Sequence, residues 1–396
     1  MIERTTGAPR TDSPSRAELP IRVGVISPLT GPWTAYGKAH LLGVMLAVDE
    51  INTAGGVLGR RLEIVVADSQ TQPRIARTQA YRLIQEEGVD FLIGTFSSAE
   101  RNAVGHVVRS ADKLLLYPTF YEGQDRAYYP GVCNENIFML GLEPTQQVWP
   151  HAEYMIRKHG RRFFLIGSDY IWPHGTNLLS KRRILELGGE IVGEVYVPLS
   201  TREYDAVLRV IKTAKPDIIL HSLTAYDSIN FRQQLHAAGM RQDIVLWSLD
   251  DEELVTSRIG PEASAGDYAT FDYFMSIAHP NNEAFLRRFR TKFGENELIN
   301  TVGVAMYNGA HMAAIAAAKA GAVRTSALRE ALRGLAFDRA PQGSIRIRAQ
   351  DNQAVLPSYL MRVRQNWTGV NDMFEEVQSF QAVEPMPAWH DLSQRA

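Results

Sequence analysis

The feature that most constrains the fold of this chain is a strict alternation of short apolar runs with segments of helical periodicity. Residues 36–52 carry apolar side chains at helical spacing, and the run at 62–68 that follows is rich in β-branched residues. Because the connections are short, successive strands are expected to run parallel and to be joined by right-handed helical crossovers. The pattern predicts an α/β fold with mainly parallel sheets. This first unit has strands at 21–26, 62–68, 90–94 and 114–117, and helices at 36–52, 73–87 and 99–111.

The alternation starts again near residue 136 and continues to about residue 250. This second unit has a similar size but no close sequence similarity to the first, so we expect two Rossmann-like lobes of related pattern. A single helix is predicted at 144–159, and late strands at 344–348 and 356–362. The other predicted elements are strands at 163–167, 190–197, 217–220 and 243–247, and helices at 175–187, 205–213, 228–238, 281–293, 301–320 and 326–335.

Composition excludes several classes of partner. The chain has 396 residues, enough for two or three domains, and a formal net charge of -2. This balance gives no electrostatic preference for nucleic acid or an anionic membrane. The one cysteine, Cys133, cannot form an internal disulfide and is expected to be structural.

The two ends of the chain and one long uncharged run lack the features of targeting signals. Residues 1–20 are polar and lack an apolar core, so they predict a disordered lead-in and not a secretory signal. Residues 384–396 predict an irregular tail. The uncharged run at 298–318 is alanine-rich and contains polar residues, so we expect a buried helix and no membrane span.

Polar and aromatic side chains follow the predicted strands of the first unit. The stretch 114–123 passes from an apolar run into Tyr-Pro-Thr-Phe-Tyr-Glu-Gly, and hydroxyl groups follow the strands that end near residues 27 and 94. In open parallel sheets ligands bind at the carboxyl ends of the strands. The sequence therefore predicts a binding site at this edge.

Enzyme and metal signatures are missing from the sequence. It contains no GxSxG, GxxxxGK[ST], HExxH or GxGxxG motif, and its histidines do not have the spacing of a metal site. We expect no catalytic residues, no metal and no cofactor.

Five stretches, spread over most of the chain, resemble a known group of proteins. They are INTAGGVLGR at 51–60, GTFSSAERNAV at 94–104, YPTFYEG at 117–123, GSDYIWP at 167–173 and APQGSIR at 340–346. With these motifs the chain resembles type I periplasmic binding proteins. Within that fold it resembles the amide-sensing negative regulators of bacterial aliphatic amidase operons and the urea-binding proteins of ABC importers.

The resemblance implies a two-lobe architecture with the ligand in the cleft between the lobes. Residues 21–140 with 272–340 would form the first lobe, and residues 141–271 with 341–383 the second. Relatives of this kind form homo-oligomers in some cases, and nothing in this sequence identifies an interface.

Carried over by position, the resemblance also implies the contacts of the ligand. Ser98, Tyr117 and Thr119 would hold a small neutral amide or urea from the first lobe, and Tyr170 would close over it from the second. Hydroxyl groups both donate and accept hydrogen bonds, which suits such a ligand. The full predicted set is Phe96, Ser97, Ser98, Tyr117, Thr119, Phe120, Tyr170 and Thr224, supported from behind by Glu122 and Asp169.

Two biological roles follow from the resemblance. The first is a cytoplasmic amide sensor that restrains an RNA-binding antitermination regulator, without contacting nucleic acid itself. The alternative is a periplasmic or otherwise extracytoplasmic receptor that delivers urea or an amide to an ABC permease. The polar N-terminus favours the sensor.

Acidic residues near the predicted strand ends leave a further alternative open. A cationic relative of an amide, such as guanidine or an amidine, would use some of them as partners. The interpretation favoured from sequence is that they are solvated loop acids or helix N-caps. These residues are Asp169, Asp227, Asp250, Asp251 and Asp272.

Overall fold

The structure is a computed structural model that describes residues 19–123 and 134–386. Residues 1–18, Cys133 and residues 387–396 lie outside the described residues, and with them most of the predicted lead-in and tail. Within the described ranges the chain forms two sheets with helices packed on them, which confirms the predicted two-lobe α/β fold.

The first sheet has five parallel strands in the order β2-β1-β3-β4-β5. This strand order places β3 at the centre, with β1 and β4 beside it. The strands are β1 (Ile21–Ser27), β2 (Leu62–Asp68), β3 (Phe91–Gly94), β4 (Leu115–Tyr117) and β5 (Ile137–Met139).

The second sheet has nine strands, in the order β11-β12-β13-β10-β9-β8-β6-β7 with β14 paired to β13. From β7 to β10 the neighbours are parallel, whereas β11 to β14 pair antiparallel. The strands are β6 (Arg162–Ser168), β7 (Glu190–Val197), β8 (Ile218–Ser222), β9 (Val245–Ser248), β10 (Tyr268–Phe271), β11 (Ala336–Phe337), β12 (Ile345–Ile347), β13 (Ala354–Val363) and β14 (Phe374–Val383).

Helices cover both faces of each sheet. In the first lobe, α1 and α12 pack together on one face and α2 and α3 on the other. In the second lobe, α5 and α6 lie on one face and α7 and α8 on the other. The helices are α1 (Thr34–Thr53), α2 (Pro73–Gln85), α3 (Ser98–Ser110), α4 (Pro144–Gln147), α5 (Trp149–His159), α6 (Ile171–Glu186), α7 (Asp205–Ala214), α8 (Tyr226–Ala237), α9 (Glu253–Ile259), α10 (Pro261–Ser264), α11 (Pro280–Phe293), α12 (Thr301–Ala320) and α13 (Thr325–Leu332).

The alternation of side chains along β1 explains this layering. Val23 and Val25 contribute to the core beneath α1 and α12, whereas Ile26 belongs to the core beneath α2 and α3. Successive strand residues point to opposite faces, so a strand covered on both sides must be apolar throughout. This is why the strands are continuous apolar runs in the sequence.

The long uncharged run is the helix α12, which is buried along most of its length, as predicted. No helix among the described residues combines the length and the apolar character needed to cross a membrane.

The structure differs from the sequence-based prediction at several places, and the short elements α9, α10 and β11 were not predicted. The helix predicted at 144–159 is divided into α4 and α5, because Pro150 lies in the first turn of α5, where its missing N–H costs nothing. Strand β14 was not predicted, because its sequence FEEVQSFQAV is largely polar and it becomes a strand by pairing with β13. The residue boundaries of the two lobes remain a prediction.

Candidate ligand-binding site between the lobes

The carboxyl ends of strands from both sheets meet at one place between the lobes. From the first lobe come the segments that follow β3 and β4, and from the second those that follow β6, β8 and β9. Gly141 lies against the segment after β4; a Cβ atom there would approach the backbone of Thr119 and Phe120 to 2.4 Å. This close approach positions the Tyr-Pro-Thr-Phe stretch at the cleft.

Aromatic rings enclose this place. The ring of Phe96 stacks on Tyr36 at a centroid distance of 4.6 Å and contacts Trp33 at 5.0 Å. Contacts across the lobes join Trp33 to Tyr170 at 5.6 Å and Phe120 to Trp172 at 4.8 Å. We call this set the aromatic enclosure; its members are Trp33, Tyr36, Phe96, Phe120, Tyr170, Trp172 and Phe271.

Four members of the enclosure were not predicted from the sequence. Trp172 lies inside the GSDYIWP motif, which could have indicated it. Trp33 and Tyr36 follow the first strand by only a few residues, just beyond the strand end near residue 27 that the sequence predicts to face the site. Phe271 carries no comparable signal, because it comes from the end of β10 and reaches Phe120 at 5.5 Å only through the fold.

Three predicted hydroxyl groups lie on the first-lobe side and are buried. Ser98 donates its hydroxyl proton to the carboxylate of Glu122. The Tyr117 hydroxyl donates to the carbonyl oxygen of Phe96 at 2.8 Å, and the Thr119 hydroxyl donates to the carbonyl oxygen of Thr95 at 3.2 Å. Each hydroxyl group therefore has a protein acceptor for its proton.

Glu122 is held by a buried ion pair. Its Oε1 is 3.0 Å from Nη2 of Arg101, and the side chains are 0% and 4% exposed. The Arg101 guanidinium also lies 5.0 Å from the ring centre of Tyr117. Burial raises the pKa of Glu122, and the charge of Arg101 and the hydrogen bond from Ser98 oppose this shift. The arrangement joins Ser98, Glu122 and Arg101 into one buried unit.

Ser97, by contrast, serves the helix. It is the N-cap of α3, where its hydroxyl oxygen accepts a hydrogen bond from the N–H of Glu100 at 3.2 Å. The carboxylate of Glu100 in turn accepts the N–H groups of Ser97 at 2.9 Å and Phe96 at 3.1 Å. This capping box uses Ser97 to begin α3 at the cleft.

Asp250 stands opposite the hydroxyl groups, after β9. Its Oδ2 accepts the Tyr36 hydroxyl at 2.6 Å and the N–H of Ala225 at 3.1 Å. Within residues 19–123 and 134–386 its other oxygen, Oδ1, has no hydrogen-bond partner, although the residue is 0% exposed. A buried carboxylate oxygen without a partner is costly, so this atom is available to a bound group.

The other candidate acids have different roles. Asp169 is exposed and pairs with His174 at 2.8 Å. Asp227 accepts the Ser168 hydroxyl at 2.9 Å, and Asp251 lies 2.6 Å from the guanidinium of Arg232. Asp272 accepts hydrogen bonds from Thr301 and Gln342. The expectation of solvated loop acids or N-caps is thus wrong for Asp227, Asp250, Asp251 and Asp272, which are all buried and do not cap helices.

Several buried carboxyl groups lie close together around Asp250. Burial raises its pKa well above the ordinary value, and the neighbouring charge of Asp251 adds to the shift, while the hydrogen bond from Tyr36 opposes it. Burial and the charge of Asp250 also raise the pKa of Glu252, which is 1% exposed. A hydrogen bond from the Asn300 side chain opposes this rise in the pKa of Glu252. This side of the site is therefore acidic.

Tyr170 connects the two sides. It is partly buried, and after burial itself the charges of Asp250, Tyr117 and Glu122 raise the pKa of its hydroxyl. Thr224 is also close to this hydroxyl. The hydroxyl group of Thr224 is buried, and its hydrogen bond with the Tyr170 hydroxyl opposes that rise in pKa.

The structure thus brings together most of the predicted residues. Those that meet at the cleft are Phe96, Ser98, Tyr117, Thr119, Phe120, Tyr170 and Thr224, with Glu122 behind Ser98. Ser97 and Asp169 are engaged elsewhere, in the cap of α3 and in the exposed pair with His174. In the described ranges no group of three or more His, Cys, Asp or Glu side chains could hold a metal ion.

Comparison with known proteins gives consistent matches. The family model for the periplasmic binding protein domain matches residues 21–394. A Leu/Ile/Val-binding protein of Rhizobium johnstonii is 28% identical over 235 residues, which cover 58% of this chain and 61% of that protein. A Leu/Ile/Val-binding protein homolog of Brucella melitensis is 22% identical over 369 residues, covering 91% of this chain and 92% of that protein.

Solved structures share the fold at low sequence identity. An ABC transporter substrate-binding protein from Sphaerobacter thermophilus has a TM-score of 0.82 at 27% identity, covering 92% of this chain and 99% of that chain. A solute binding protein of an ABC transporter from Rhodopseudomonas palustris, in complex with 3,4-dihydroxy benzoic acid, has a TM-score of 0.82 at 22% identity, covering 94% and 99%.

Proposed function

This chain belongs to the periplasmic binding protein domain family, and we propose that it is the ligand-binding component of an ABC importer. Its two lobes would close on a small nitrogen-containing compound, such as a short-chain amide, urea or a cationic analogue of these. A ligand that contacts both lobes favours the closed state by its differential affinity, and the importer would recognise that state.

The relatives favour an importer over the cytoplasmic sensor expected from the sequence. Those with a printed role are Leu/Ile/Val-binding proteins and substrate-binding proteins of ABC transporters. The proposed location is accordingly extracytoplasmic and the proposed protein partner a permease. An RNA-binding antitermination regulator has no support from these relatives.

The observation that carries the ligand class is the composition of the cleft. Ser98, Tyr117 and Thr119 lie inside an aromatic enclosure built from both lobes. Small polar molecules fit such a site because the rings exclude water and the hydroxyl groups satisfy the ligand's polar atoms.

The size of such a ligand limits its affinity. At the best known efficiency of about -1.5 kcal/mol per heavy atom, a ligand of about four heavy atoms gains about -6 kcal/mol. This corresponds to a dissociation constant of the order of tens of micromolar. A much tighter complex would indicate a larger ligand or one that carries charge.

The test is a thermal-shift panel followed by calorimetry with acetamide, propionamide, urea, guanidinium and leucine. We expect at least one of the nitrogen compounds to stabilise the protein. Ser98→Ala should lower the affinity for that compound roughly tenfold, because it removes from the site a hydroxyl group that is hydrogen-bonded to the Glu122 carboxylate. Ser97→Ala is the matched control: it removes the neighbouring hydroxyl, which caps α3, and should lower the melting temperature without changing affinity.

Stabilisation by leucine alone would reject the amide or urea class and leave an amino-acid receptor, the role that the names of the curated relatives indicate. Loss of affinity in both serine variants alike would reject the assignment of Ser98 to the site.

A further inference from the structure

The hydroxyl groups of the first lobe have a fixed hydrogen-bond direction. Ser98, Tyr117 and Thr119 each give their proton to an acceptor of the protein: the Glu122 carboxylate, the Phe96 carbonyl and the Thr95 carbonyl. A hydroxyl group has one proton and two lone pairs. Once the proton is used, only the lone pairs remain for a ligand.

The backbone around Ser98 reinforces this direction. Arg101 holds the Glu122 carboxylate in place at 3.0 Å, so the acceptor for the Ser98 proton is an ion-paired carboxylate. Thr95, whose carbonyl takes the Thr119 proton, has a φ angle of 59°. Such a left-handed conformation is unusual for a β-branched residue and is maintained by the surrounding fold.

An anionic ligand group would gain little electrostatic stabilisation beside Ser98. The start of α3 would normally attract an anion, but the buried carboxylate of Glu100 already occupies it by accepting the N–H groups of Phe96 and Ser97. A carboxylate bound beside Ser98 would also lie next to Glu122. The first-lobe side is therefore rich in acceptors and poor in positive potential.

The second-lobe side adds a carboxyl group that no cation of the described residues pairs with. Oδ1 of Asp250 is buried without a hydrogen-bond partner in residues 19–123 and 134–386, and the buried carboxyl group of Glu252 lies nearby. The buried Thr224 hydroxyl lies beside that of Tyr170 at the same end of the site.

Taking these observations together, we propose that the site selects a compact planar cation with several N–H donors, of the amidinium or guanidinium class, and rejects carboxylates. The N–H groups bind the lone pairs of Ser98, Tyr117 and Thr119, and the positive charge lies against Asp250. The rings of Trp33 and Tyr170 provide faces that stabilise a cation. This inference rests on the proposed binding function and narrows its substrate class.

An isosteric series tests it directly. Acetamidinium, acetamide and acetate have nearly the same shape and are positive, neutral and negative. Calorimetry on the full chain at about pH 7.5 should give acetamidinium an affinity at least tenfold above that of acetamide, a difference of the size expected for a hydrogen bond to a charged group, with acetate not bound. Guanidinium and urea form a second pair and should show the same preference for the cation.

Each outcome has a clear consequence. Equal binding of acetamide and acetamidinium, or tighter binding of acetamide, would overturn the charge selection while the proposed amide-binding function survives. Binding of acetate in preference to both would overturn the inference in full. If none of these compounds binds, both the inference and the proposed function fail.

Asp250→Asn identifies the residue responsible. This substitution keeps the size of the side chain and its ability to accept the Tyr36 hydroxyl. We expect the preference for acetamidinium over acetamide to fall at least tenfold, mainly through loss of acetamidinium binding. Asp243→Asn is the matched control, because Asp243 is exposed and precedes the same strand β9 that Asp250 follows.

A preference unchanged in Asp250→Asn would overturn the role of Asp250. Should that variant fail to fold, the isosteric series on the unmodified protein still decides whether the site selects a cation.

Discussion

Glu122 and Asp250 are two fully buried carboxylates on opposite sides of the same cleft, and the protein treats them differently. Glu122 pairs with Arg101 and accepts the Ser98 hydroxyl. Asp250 accepts only a tyrosine hydroxyl and a backbone N–H, and no Lys or Arg among the described residues forms an ion pair with it. The charge of Glu122 is therefore compensated within the protein. Asp250, by contrast, needs either a proton or a bound cation to balance its charge.

This difference indicates that Glu122 positions another side chain of the site, whereas Asp250 is free to bind a ligand. A buried ion pair rarely adds net stability, but removing one partner leaves the other uncompensated, so Glu122 and Arg101 depend on each other. Their contribution to the site is to orient Ser98. Ionising Asp250 costs free energy, because no cation of the described residues pairs with it, and a cationic ligand would offset that cost.

Breaking the satisfied pair should have the largest effect on stability. Glu122→Ala leaves the buried Arg101 without its carboxylate and should lower the free energy of unfolding by roughly 3–5 kcal/mol, measured by scanning calorimetry without ligand. Glu153→Ala removes a carboxylate from the exposed pair with Arg157, whose side chains are 62% and 78% exposed, and should change it by less than about 1 kcal/mol. Equal losses in the two variants would contradict the comparison.

Neutralising Asp250 should raise the free energy of unfolding, whereas Glu122→Ala lowers it. Because the folded-state pKa of Asp250 is raised, its contribution to stability is fully present below its unfolded pKa of about 4 and is lost as the pH rises through the raised value. Asp250→Asn removes this loss, so the ligand-free variant should be more stable than the parent protein by roughly 1–3 kcal/mol at about pH 8.

The measurement is the free energy of unfolding from about pH 4 to pH 8, in buffers free of small cations that could bind. The profile of Asp250→Asn should be flatter than that of the parent protein, and a variant less stable than the parent at high pH would show that Asp250 has a counter-charge after all.

Removing one hydrogen bond to Asp250 should have the smallest effect. Tyr36→Phe deletes the hydroxyl that lies 2.6 Å from Oδ2 and favours the charged form, so it should raise the pKa of Asp250 further. We expect a loss of about 1 kcal/mol at about pH 8 and a smaller loss at about pH 4. Tyr204→Phe serves as control, because the buried Tyr204 hydroxyl donates to a backbone carbonyl, that of Asp227, and its loss should not depend on pH in this way.

Much of the fold could be predicted from the sequence, because each buried parallel strand must be apolar on both faces. The runs that form β1, β3 and β6 are recognisable for this reason without knowledge of their neighbours. Strand β14 was missed, since its polar sequence has no such pattern and its pairing with β13 defines it.

The candidate site divides in the same way. Tyr117 ends β4, Thr119 follows that strand closely, and Ser98 begins the helix after β3, so their place at the carboxyl edge of the first sheet follows from the alternation alone. Ser97 is adjacent to Ser98, yet it caps α3, because one residue along a turn changes the direction of a side chain. Phe271 reaches the cleft from a distant part of the chain.

What the sequence determined by itself is therefore the α/β architecture, the edge at which the site lies and most of its polar side chains, because strand burial and strand ends are local properties. The tertiary structure alone decided which acids are compensated. Arg232 contacts Asp251 and not Asp250, and Arg101 contacts Glu122, through packing that joins distant segments. Electrostatic pairing depends on distances of a few ångströms in three dimensions, and adjacent positions such as Asp250 and Asp251 can differ completely in that respect.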